Sequence, residues 1–480
     1  MLFNSTQFWF FFVFIGFVFF GLPQRFRWVA LVIASYYFYM CWKPVYAILL
    51  AASTVVDYSV GQALSRAKTQ AHKKIILCAS LLINFGALFA FKYSDFVGSS
   101  LEGLFGLLGM KVDMPHLHWL LPVGISFYTF QSVSYTIDVY RGSMPAEKHF
   151  GIYAAYVTFF PQLVAGPINR APHLLPQFRE EKRFTLDNVR IGLRLALWGM
   201  FKKVCVADLL ASVVNTVYES PTNFPGPCLL IATIFFAIQI YCDFSGYSDI
   251  ALGVARILGF ELMTNFRQPY YSSSIAEFWQ RWHISLSTWF RDYLYFPLGG
   301  SRVSKFRWCL NLMIVFLVSG LWHGANWTFI IWGALHGVYL VGGVLLSGDK
   351  KESKKGESSV GLLRGAANML VVFAMVTVGW VFFRANSVSD AFYVLRHAFS
   401  TRGFQPELLF SMGIPRFEVG LAAAMIAVLM LVDGLIWKQP PLIQRFWNKT
   451  WFRWGCYASA FYAVIFFGVF GKVQFIYFQF

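Results

Sequence analysis

Charged residues are scarce in this chain of 480 residues: Asp, Glu, Lys and Arg make up 13% of it, whereas hydrophobic residues make up 57%. The mean hydropathy is +0.55. An average soluble domain carries about 25% charged residues, and a soluble chain of this length would divide into two or more domains. Here apolar segments recur from end to end with short polar breaks. The composition therefore excludes an ordinary soluble protein and predicts one integral membrane domain over residues 1–480.

Motifs for metals, redox cofactors and common soluble enzymes are also missing. The sequence has no Gly-x-Ser-x-Gly elbow, no P-loop and no Rossmann glycine motif. His323 and His336 lack the i, i+4 spacing of a helical zinc pair, so we predict no metal. No Cys-x-x-Cys pair occurs. Because most of the seven cysteines have apolar neighbours, we interpret them as buried free thiols: Cys41, Cys78, Cys205, Cys228, Cys242, Cys309 and Cys456.

The excess of positive charge has a membrane explanation. The formal net charge is +17, but the basic residues lie in short loops between apolar runs. Nucleic-acid-binding modules carry them on solvated basic surfaces, so we predict no nucleic-acid partner. Arg25 and Arg27 follow the apolar segment 7–22, and a second basic loop, 66–74, follows segment 45–59. With both loops cytoplasmic, the N-terminus lies outside, and segment 7–22, which lacks signal-peptide features, is interpreted as a retained helix.

Further apolar segments lie near residues 28–42, 75–92, 117–137, 150–168, 192–216, 226–243, 246–260, 308–322, 326–346, 361–383, 417–437 and 454–472. Several are shorter than the roughly 20 residues that cross a bilayer core, so we expect some to be re-entrant. One breaks at Pro161, Gly166 and Pro167, and broken backbone at membrane depth is tolerated only inside protein or beside a wet cavity. Two polar linkers are predicted, at 348–358 and 438–453.

The stretch 277–293 combines charge with a dense aromatic pattern. As one helix, it places His283 and Ser287 on one face, beside an apolar stripe of Phe278, Trp282, Leu286, Trp289 and Tyr293. One interpretation is an interfacial helix with an aromatic belt and arginine anchors. The other is a helix that lines a cavity, with His283 pointing inward. The pattern leaves both interpretations open.

His323 is energetically costly to place at membrane depth, because it is an ionisable residue in the apolar segment 318–327. A neutral histidine there is able to take a proton from a hydroxyl or thiol, since its ordinary pKa is about 6.5. A packed core histidine with both nitrogens satisfied is the alternative. On one continuous helix, His336 would lie about 220° around the axis from His323. We therefore expect the two side chains to face apart.

Another group of polar residues within apolar sequence lies at 241–249. Asp249 precedes Arg256 by seven residues on a helical pattern, so we predict an ion pair between them. Asp243 has no such local partner. A structural hydrogen-bonding role and a place in a cavity wall are both open for it.

Four motifs of the chain form a combination: FFPQLVAGP at 159–167, DFSGYSD at 243–249, WQRWHISLSTWFRDY at 279–293 and GLWHGANW at 320–327. Together they closely resemble the membrane-bound O-acyltransferase family, in its alginate O-acetyltransferase branch. The resemblance implies an all-α integral membrane protein, a ring of roughly eleven transmembrane helices with re-entrant helices around a central funnel. It implies His323 as the catalytic base and His283 as the second catalytic histidine. Arg281, Asn326 and Asp243 are candidates for lining the funnel.

The last six residues, FIYFQF at 475–480, resemble the Phe-x-Tyr-x-x-Phe ending of family members that modify polymers. In those proteins the tyrosine is a proposed acyl carrier, and a phenol forms such an ester once a base removes its proton. The resemblance implies this relay role for Tyr477. An aromatic anchor at the membrane interface is the alternative.

The function implied by the resemblance is transfer of an acetyl group from a cytoplasmic thioester donor, acetyl-CoA, across the bacterial inner membrane. The acceptor side would use an extracytoplasmic partner of the SGNH type, which acetylates a secreted polysaccharide such as alginate. No bound cofactor is expected. A polysaccharide or lipid transporter, or the scaffold of an export complex, would also account for a polar interior and basic loops.

Overall fold

The computed structural model describes residues 1–346, 359–405, 407–408, 412–413, 415–471 and 475–476, and these contain helix but no strand. The helices are α1 Thr6–Gly21, α2 Gln24–Met40, α3 Tyr46–Arg66, α4 Gln70–Leu88, α5 Ser94–Leu107, α6 Ile125–Arg141, α7 Phe150–Thr158, α8 Phe160–Leu163, α9 Ala171–Leu174, α10 Leu186–Met200, α11 Asp208–Glu219, α12 Gly226–Ile257, α13 Ile275–Arg281, α14 Ile284–Phe290, α15 Lys305–His323, α16 Trp327–Leu346, α17 Ser359–Arg384, α18 Val388–His397, α19 Arg416–Lys438, α20 Pro441–Trp447 and α21 Thr450–Phe467. Wider π-helical turns occupy Phe89–Tyr93, Phe201–Ala207 and Arg291–Tyr295.

Seven helices within the described ranges are long and apolar enough to cross a membrane: Tyr46–Arg66, Gln70–Leu107, Gly226–Ile257, Lys305–His323, Trp327–Leu346, Leu363–Arg384 and Phe417–Lys438. The segment expected to be a retained first helix forms α1, a shorter apolar helix that Ser5 caps through the N–H of Phe8. The expectation of an all-helical, multi-pass membrane protein is therefore confirmed. The number of roughly eleven spans and the ring around a funnel stay predictions.

The chain packs as two compact units. The first comprises Met1–Ala196 and Ala251–Met263, and the second comprises Leu197–Ile250 and Thr264–Phe480. In the first unit, α3 packs against α4 and α6, and α2 packs against α7. Asp57 of α3 is buried there and accepts a hydrogen bond of 2.7 Å from Nδ2 of Asn84 of α4. Such buried polar contacts hold membrane helices together.

The expected helix break at the prolines also lies in the first unit. Helix α7 ends at Thr158, and α8 is a single turn. The segment 159–169 is buried, and its side chains form hydrogen bonds with the interrupted backbone. Nε2 of Gln162 donates to the carbonyl of Tyr156 at 2.8 Å. Nδ2 of Asn169 donates to Oε1 of Gln162 at 2.9 Å. The break and its burial in protein are confirmed, whereas a re-entrant course stays a prediction.

In the second unit, α15 and α16 form a closely packed hairpin whose contact depends on glycine. A Cβ atom added at Gly333 would lie 2.3 Å from the carbonyl oxygen of Phe316, and one at Gly320 would lie 2.3 Å from that of Phe329. Only glycine lets the two backbones approach so closely. The helix that ends at His323 is thereby held against the helix that carries His336.

We expect Gly333→Ala to destabilise the protein by about 1–3 kcal/mol, because the added methyl group meets backbone that cannot rotate away. Gly342→Ala on the same helix is the matched control, since nothing lies within 4 Å of its added Cβ. Thermal unfolding of both variants in detergent measures the difference. Equal midpoints for the two variants would contradict this account of the hairpin.

Two expectations about single segments need correction, and the linkers stay predictions. Helices α15 and α16 are separate, so the angle derived for His323 and His336 on one helix does not apply. The stretch 277–293 is likewise broken at Trp282 and His283 into α13 and α14. The linker expected at 438–453 contains helix α20, and the linker at 348–358 lies outside the described residues.

All seven cysteines are free, as expected. Their burial was predicted correctly for Cys205, Cys228 and Cys242. It was wrong for Cys41 and Cys78, which are exposed on the protein surface, while the remaining two are half-buried. An apolar sequence context does not separate a protein core from a lipid-facing surface, because both favour apolar neighbours.

Candidate active site

The two histidines implied by the family resemblance come together in the second unit. The ring centroids of His283 and His323 are 6.4 Å apart, and the residues are 0% and 3% exposed. His323 ends α15, whereas His283 joins α13 to α14. The hairpin and the broken helix thus bring two imidazoles from distant parts of the sequence into one buried site.

Aromatic rings surround His323. The ring centroids of Trp322, Trp332 and Phe383 lie 5.0, 4.9 and 5.3 Å from its own, all near edge-on. Gly324 allows Phe329 to close over the end of α15, because a Cβ at residue 324 would lie 2.1 Å from Cε2 of Phe329. These walls keep water away from the imidazole, which strengthens polar interactions inside the site.

His336, expected to face away from His323, lies in the same aromatic cluster. The ring of Trp332 is 4.9 Å from His323 and 5.0 Å from His336. Nε1 of Trp279 donates to Nδ1 of His336 at 3.3 Å. The indole of Trp332 therefore contacts both histidines, because the turn at 324–326 reverses the chain.

His283 is held in an unusual backbone conformation. Its φ is +42°, in the left-handed region that costs a non-glycine residue about 1–3 kcal/mol. Its Nδ1 lies 3.1 Å from Oδ1 of Asn265, and the ring of Phe244 packs edge-on against it at 4.6 Å. Burial lowers the pKa of His283 to about 3, so the imidazole is neutral at physiological pH. A neutral imidazole has one nitrogen that can accept a proton.

Asp243 belongs to a buried ion cluster. Nζ of Lys203 lies 2.7 Å from Oδ1 of Asp243 and 2.8 Å from Oδ1 of Asp208. The neighbouring Lys202 pairs separately with Oδ2 of Asp249, at 2.6 Å. The π-helical turn Phe201–Ala207 carries both lysines, and such turns are frequent at functional sites.

The expected ion pair between Asp249 and Arg256 is wrong. Asp249 pairs with Lys202, and Arg256 pairs with Glu261. Sequence reasoning missed Lys202 and Lys203, although two adjacent lysines inside the apolar segment 192–216 carry the same signal that singled out His323. Spacing along one helix does not reveal partners that another helix supplies.

Two residues near the C-terminus pack against Asp243 and Phe244. Phe475 and Ile476 are buried, and the N–H of Ile476 donates to Oδ2 of Asp243 at 2.8 Å. The ring of Phe475 lies 5.8 Å from Phe244, the residue that packs against His283. Phe475 is therefore packed in protein instead of anchoring at the membrane surface. Tyr477 lies outside the described residues.

The two other funnel candidates have local partners. Oδ1 of Asn326 accepts from the N–H of Thr328 at 3.0 Å and so caps α16. Arg281 forms an ion pair of 2.8 Å with Glu277, one turn earlier in α13. Their place in a funnel stays a prediction. Among the described residues, no three His, Cys, Asp or Glu side chains are grouped so as to hold a metal ion.

Known proteins are similar to this chain over most of its length. The model of the membrane-bound O-acyltransferase family matches residues 148–347, which include both histidines and the ion cluster. The probable alginate O-acetylase AlgI of Pseudomonas aeruginosa is 40% identical over 88% of this chain and 79% of its own. The peptidoglycan O-acetyltransferase of Helicobacter pylori is 34% identical over 82% and 79% of the two chains.

A more distant relative extends the range of acyl groups. The teichoic acid D-alanyltransferase of Streptococcus thermophilus is 27% identical over 50% of this chain and 61% of its own. The names of these relatives describe acyl transfer, whereas composition alone left a transporter or a scaffold open. With high identity to relatives over most of its length, this chain belongs to the membrane-bound O-acyltransferase family and is an O-acyltransferase.

Proposed function

We propose that this protein moves an acetyl group from cytoplasmic acetyl-CoA across the bacterial inner membrane, for O-acetylation of a secreted polysaccharide such as alginate. The observation that carries the proposal is the pair of buried histidines in an aromatic site, with Phe475 and Ile476 packed against Phe244 and Asp243. The names of the relatives, an alginate O-acetylase and a peptidoglycan O-acetyltransferase, support a secreted glycan as the final acceptor.

In the proposed reaction, His323 is the general base. The imidazole takes the proton of an acceptor hydroxyl while the hydroxyl oxygen attacks the thioester carbonyl. The carbon–sulfur bond breaks, and the departing CoA thiolate takes the proton back from the imidazolium. The aromatic walls favour this step because they exclude water, which would otherwise hydrolyse the thioester.

We propose that the first acceptor is the phenol of Tyr477. The docking of Phe475 and Ile476 against Phe244 and Asp243 supports this, because Phe244 contacts His283 and Tyr477 follows Ile476 directly in the sequence. The resulting acetyl ester would then be attacked by the serine hydroxyl of an extracytoplasmic partner of the SGNH type, which regenerates the phenol.

The experiment that tests the proposal follows the label from donor to polymer. Inverted membrane vesicles, which expose the cytoplasmic face, are supplied with acetyl-labelled CoA outside, and they enclose the partner and the polymer in their lumen, which corresponds to the extracytoplasmic side. We expect ester-linked label on the polymer that alkali releases as acetate. A polymer that stays unlabelled while acetyl-CoA binds the protein would contradict acetyl-CoA as the donor.

We expect Asp243→Ala to release the C-terminal segment and to abolish most polymer acetylation. The change leaves the N–H of Ile476 without its acceptor and removes one of the two carboxylates that pair with Lys203. Breaking a buried ion pair costs about 3–5 kcal/mol. Cleavage of a C-terminal tag by an added protease, with the fold checked by thermal unfolding in detergent, measures the release.

Asp249→Ala is the control for this change. It also removes a lysine's partner, but Asp249 is partly exposed and pairs with Lys202. We expect its C-terminal tag to stay as protected as in the unaltered protein. If both variants expose the tag equally, Asp243 is not a specific anchor of the segment.

A further inference from the structure

Asn265 contacts His283 through its side chain and the next residue, Ile284, through its backbone. The side chain is buried, and its Oδ1 accepts from the N–H and the hydroxyl of Ser285 at 3.2 and 2.9 Å. The same oxygen is 3.1 Å from Nδ1 of His283. Nδ2 of Asn265 donates to Oγ of Ser248 at 3.3 Å, and its backbone carbonyl accepts from the N–H of Ile284 at 2.9 Å.

These contacts determine which way the amide of Asn265 faces. The backbone N–H of Ser285 is only able to donate, so the amide atom that faces it is the oxygen. The opposite orientation would set an NH₂ group against that N–H and leave two buried donors facing each other. The position of the oxygen is therefore fixed by a backbone group whose hydrogen position is not in question.

The orientation of the amide determines the tautomer of His283. An amide oxygen is only able to accept, so Nδ1 of His283 carries the hydrogen that lies between them. In a neutral imidazole the other nitrogen then carries the lone pair. Burial keeps the imidazole neutral by lowering the pKa of His283. The nitrogen that accepts a proton or a hydrogen bond is consequently Nε2.

Asn265 also stabilises the strained turn on which His283 stands. Its carbonyl and its Oδ1 accept from the two consecutive backbone N–H groups of Ile284 and Ser285, at the start of α14. These groups directly follow the residue with φ of +42°. One asparagine thus sets the backbone position of His283, the orientation of its ring and the placement of its hydrogen.

We propose that Asn265 is a positioning residue for the acyl transfer, which holds His283 in the tautomer with Nε2 as acceptor. This rests on the proposed function, in which His283 is the second histidine of the site. Nε2 then accepts a hydrogen bond or a proton from a group that reacts beside His323, 6.4 Å away between ring centroids. Asn265 itself does not contact the reacting atoms.

The test compares Asn265→Ala with Asn265→Asp in the inverted-vesicle assay across pH. The alanine removes every side-chain acceptor, so we expect the initial rate to fall by about 10- to 100-fold, the scale on which loss of a histidine's orienting partner acts. The carboxylate of Asn265→Asp keeps those acceptors and is able to accept from the hydroxyl of Ser248 too. It also stabilises the imidazolium and so raises the pKa of His283.

Asn265→Asp should therefore approach the unaltered rate at high pH and lose activity as the pH falls, because protonation removes the lone pair of Nε2. The acid limb of its pH–rate profile moves to higher pH. Asn215→Asp is the matched control, because Asn215 lies in the same unit and its Oδ1 accepts from Nη2 of Arg384 at 2.9 Å, a bond that the carboxylate keeps. We expect its profile to keep the unaltered shape.

Three outcomes separate the possible failures. If both Asn265 variants lose the same factor at every pH, Asn265 serves packing only and the proposal is wrong. If Asn265→Ala is fully active while His283→Gln is inactive, His283 functions without this partner and the positioning role is overturned. If His283→Gln is itself fully active, the catalytic role of His283 fails, and the positioning role fails with it.

Discussion

Replacing His323 by glutamine should reduce the acetylation of the polymer by about 10²–10⁴-fold, the contribution that general-base catalysis makes. Glutamine is polar and of similar length, but it has no nitrogen that takes up a proton. The rings of Trp322, Trp332 and Phe383 would still enclose the residue. The loss is therefore expected in the rate of transfer and not in the amount of folded protein.

Ester-linked acetate on the exported polymer measures this effect in cells, and the labelled assay measures it in vesicles. His336→Gln is the matched control, because His336 is equally buried and contacts the same indole of Trp332. We expect this control to retain most of its activity. Normal acetate with His323→Gln, at normal protein levels, would exclude His323 as the base. Equal losses in both variants would point to the aromatic packing instead.

The second large effect is expected at the C-terminus. Tyr477→Phe should reduce polymer acetylation by at least about 10³-fold, the scale of loss when an enzyme is deprived of its nucleophile. Phenylalanine keeps the ring but lacks the oxygen that would carry the acetyl group. The contacts that hold Phe475 and Ile476 come from the ring of Phe475 and the N–H of Ile476, which the substitution leaves in place, so the variant should remain folded.

Two measurements distinguish a relay from an aromatic anchor. With acetyl-labelled CoA and no partner present, the unaltered protein should retain alkali-labile label, and Tyr477→Phe should retain none. Tyr462→Phe is the control, since Tyr462 is an exposed tyrosine on α21. Full polymer acetylation by Tyr477→Phe would end the relay proposal. It would leave the role of His323 intact, because another hydroxyl would then be the acceptor.

The class of protein was accessible from the sequence because it depends on composition. A chain with so few charges and so many apolar segments buries its backbone in lipid, where helices satisfy every peptide group internally. The same reasoning identified His323 and the break at Pro161, since polar groups and broken helices are costly at membrane depth. The motifs at 279–293 and 320–327 then indicated the family, which the relatives confirm.

The arrangement of the site was not accessible in the same way. Periodicity treated 277–293 as one helix and placed His323 and His336 on another. Each of these stretches is interrupted, at His283 and at 324–326. A left-handed residue or a glycine turn ends a helix only if contacts elsewhere stabilise the interruption, as Asn265 does at His283. Those contacts come from residues that are distant in the sequence.

The ion pairs also depend on contacts between residues that are distant in the sequence. Seven-residue spacing suggested Arg256 as the partner of Asp249. In the structure α12 packs closely against the π-helical turn, so Asp249 pairs with Lys202 and Asp243 pairs with Lys203. Residue types alone identify a helical membrane protein in which burial of a histidine is costly, because transfer from water to lipid depends on residue type. The side chains that meet at His283 and His323 follow from the packing of the helices, because side-chain partners in a packed interior depend on which helices lie side by side.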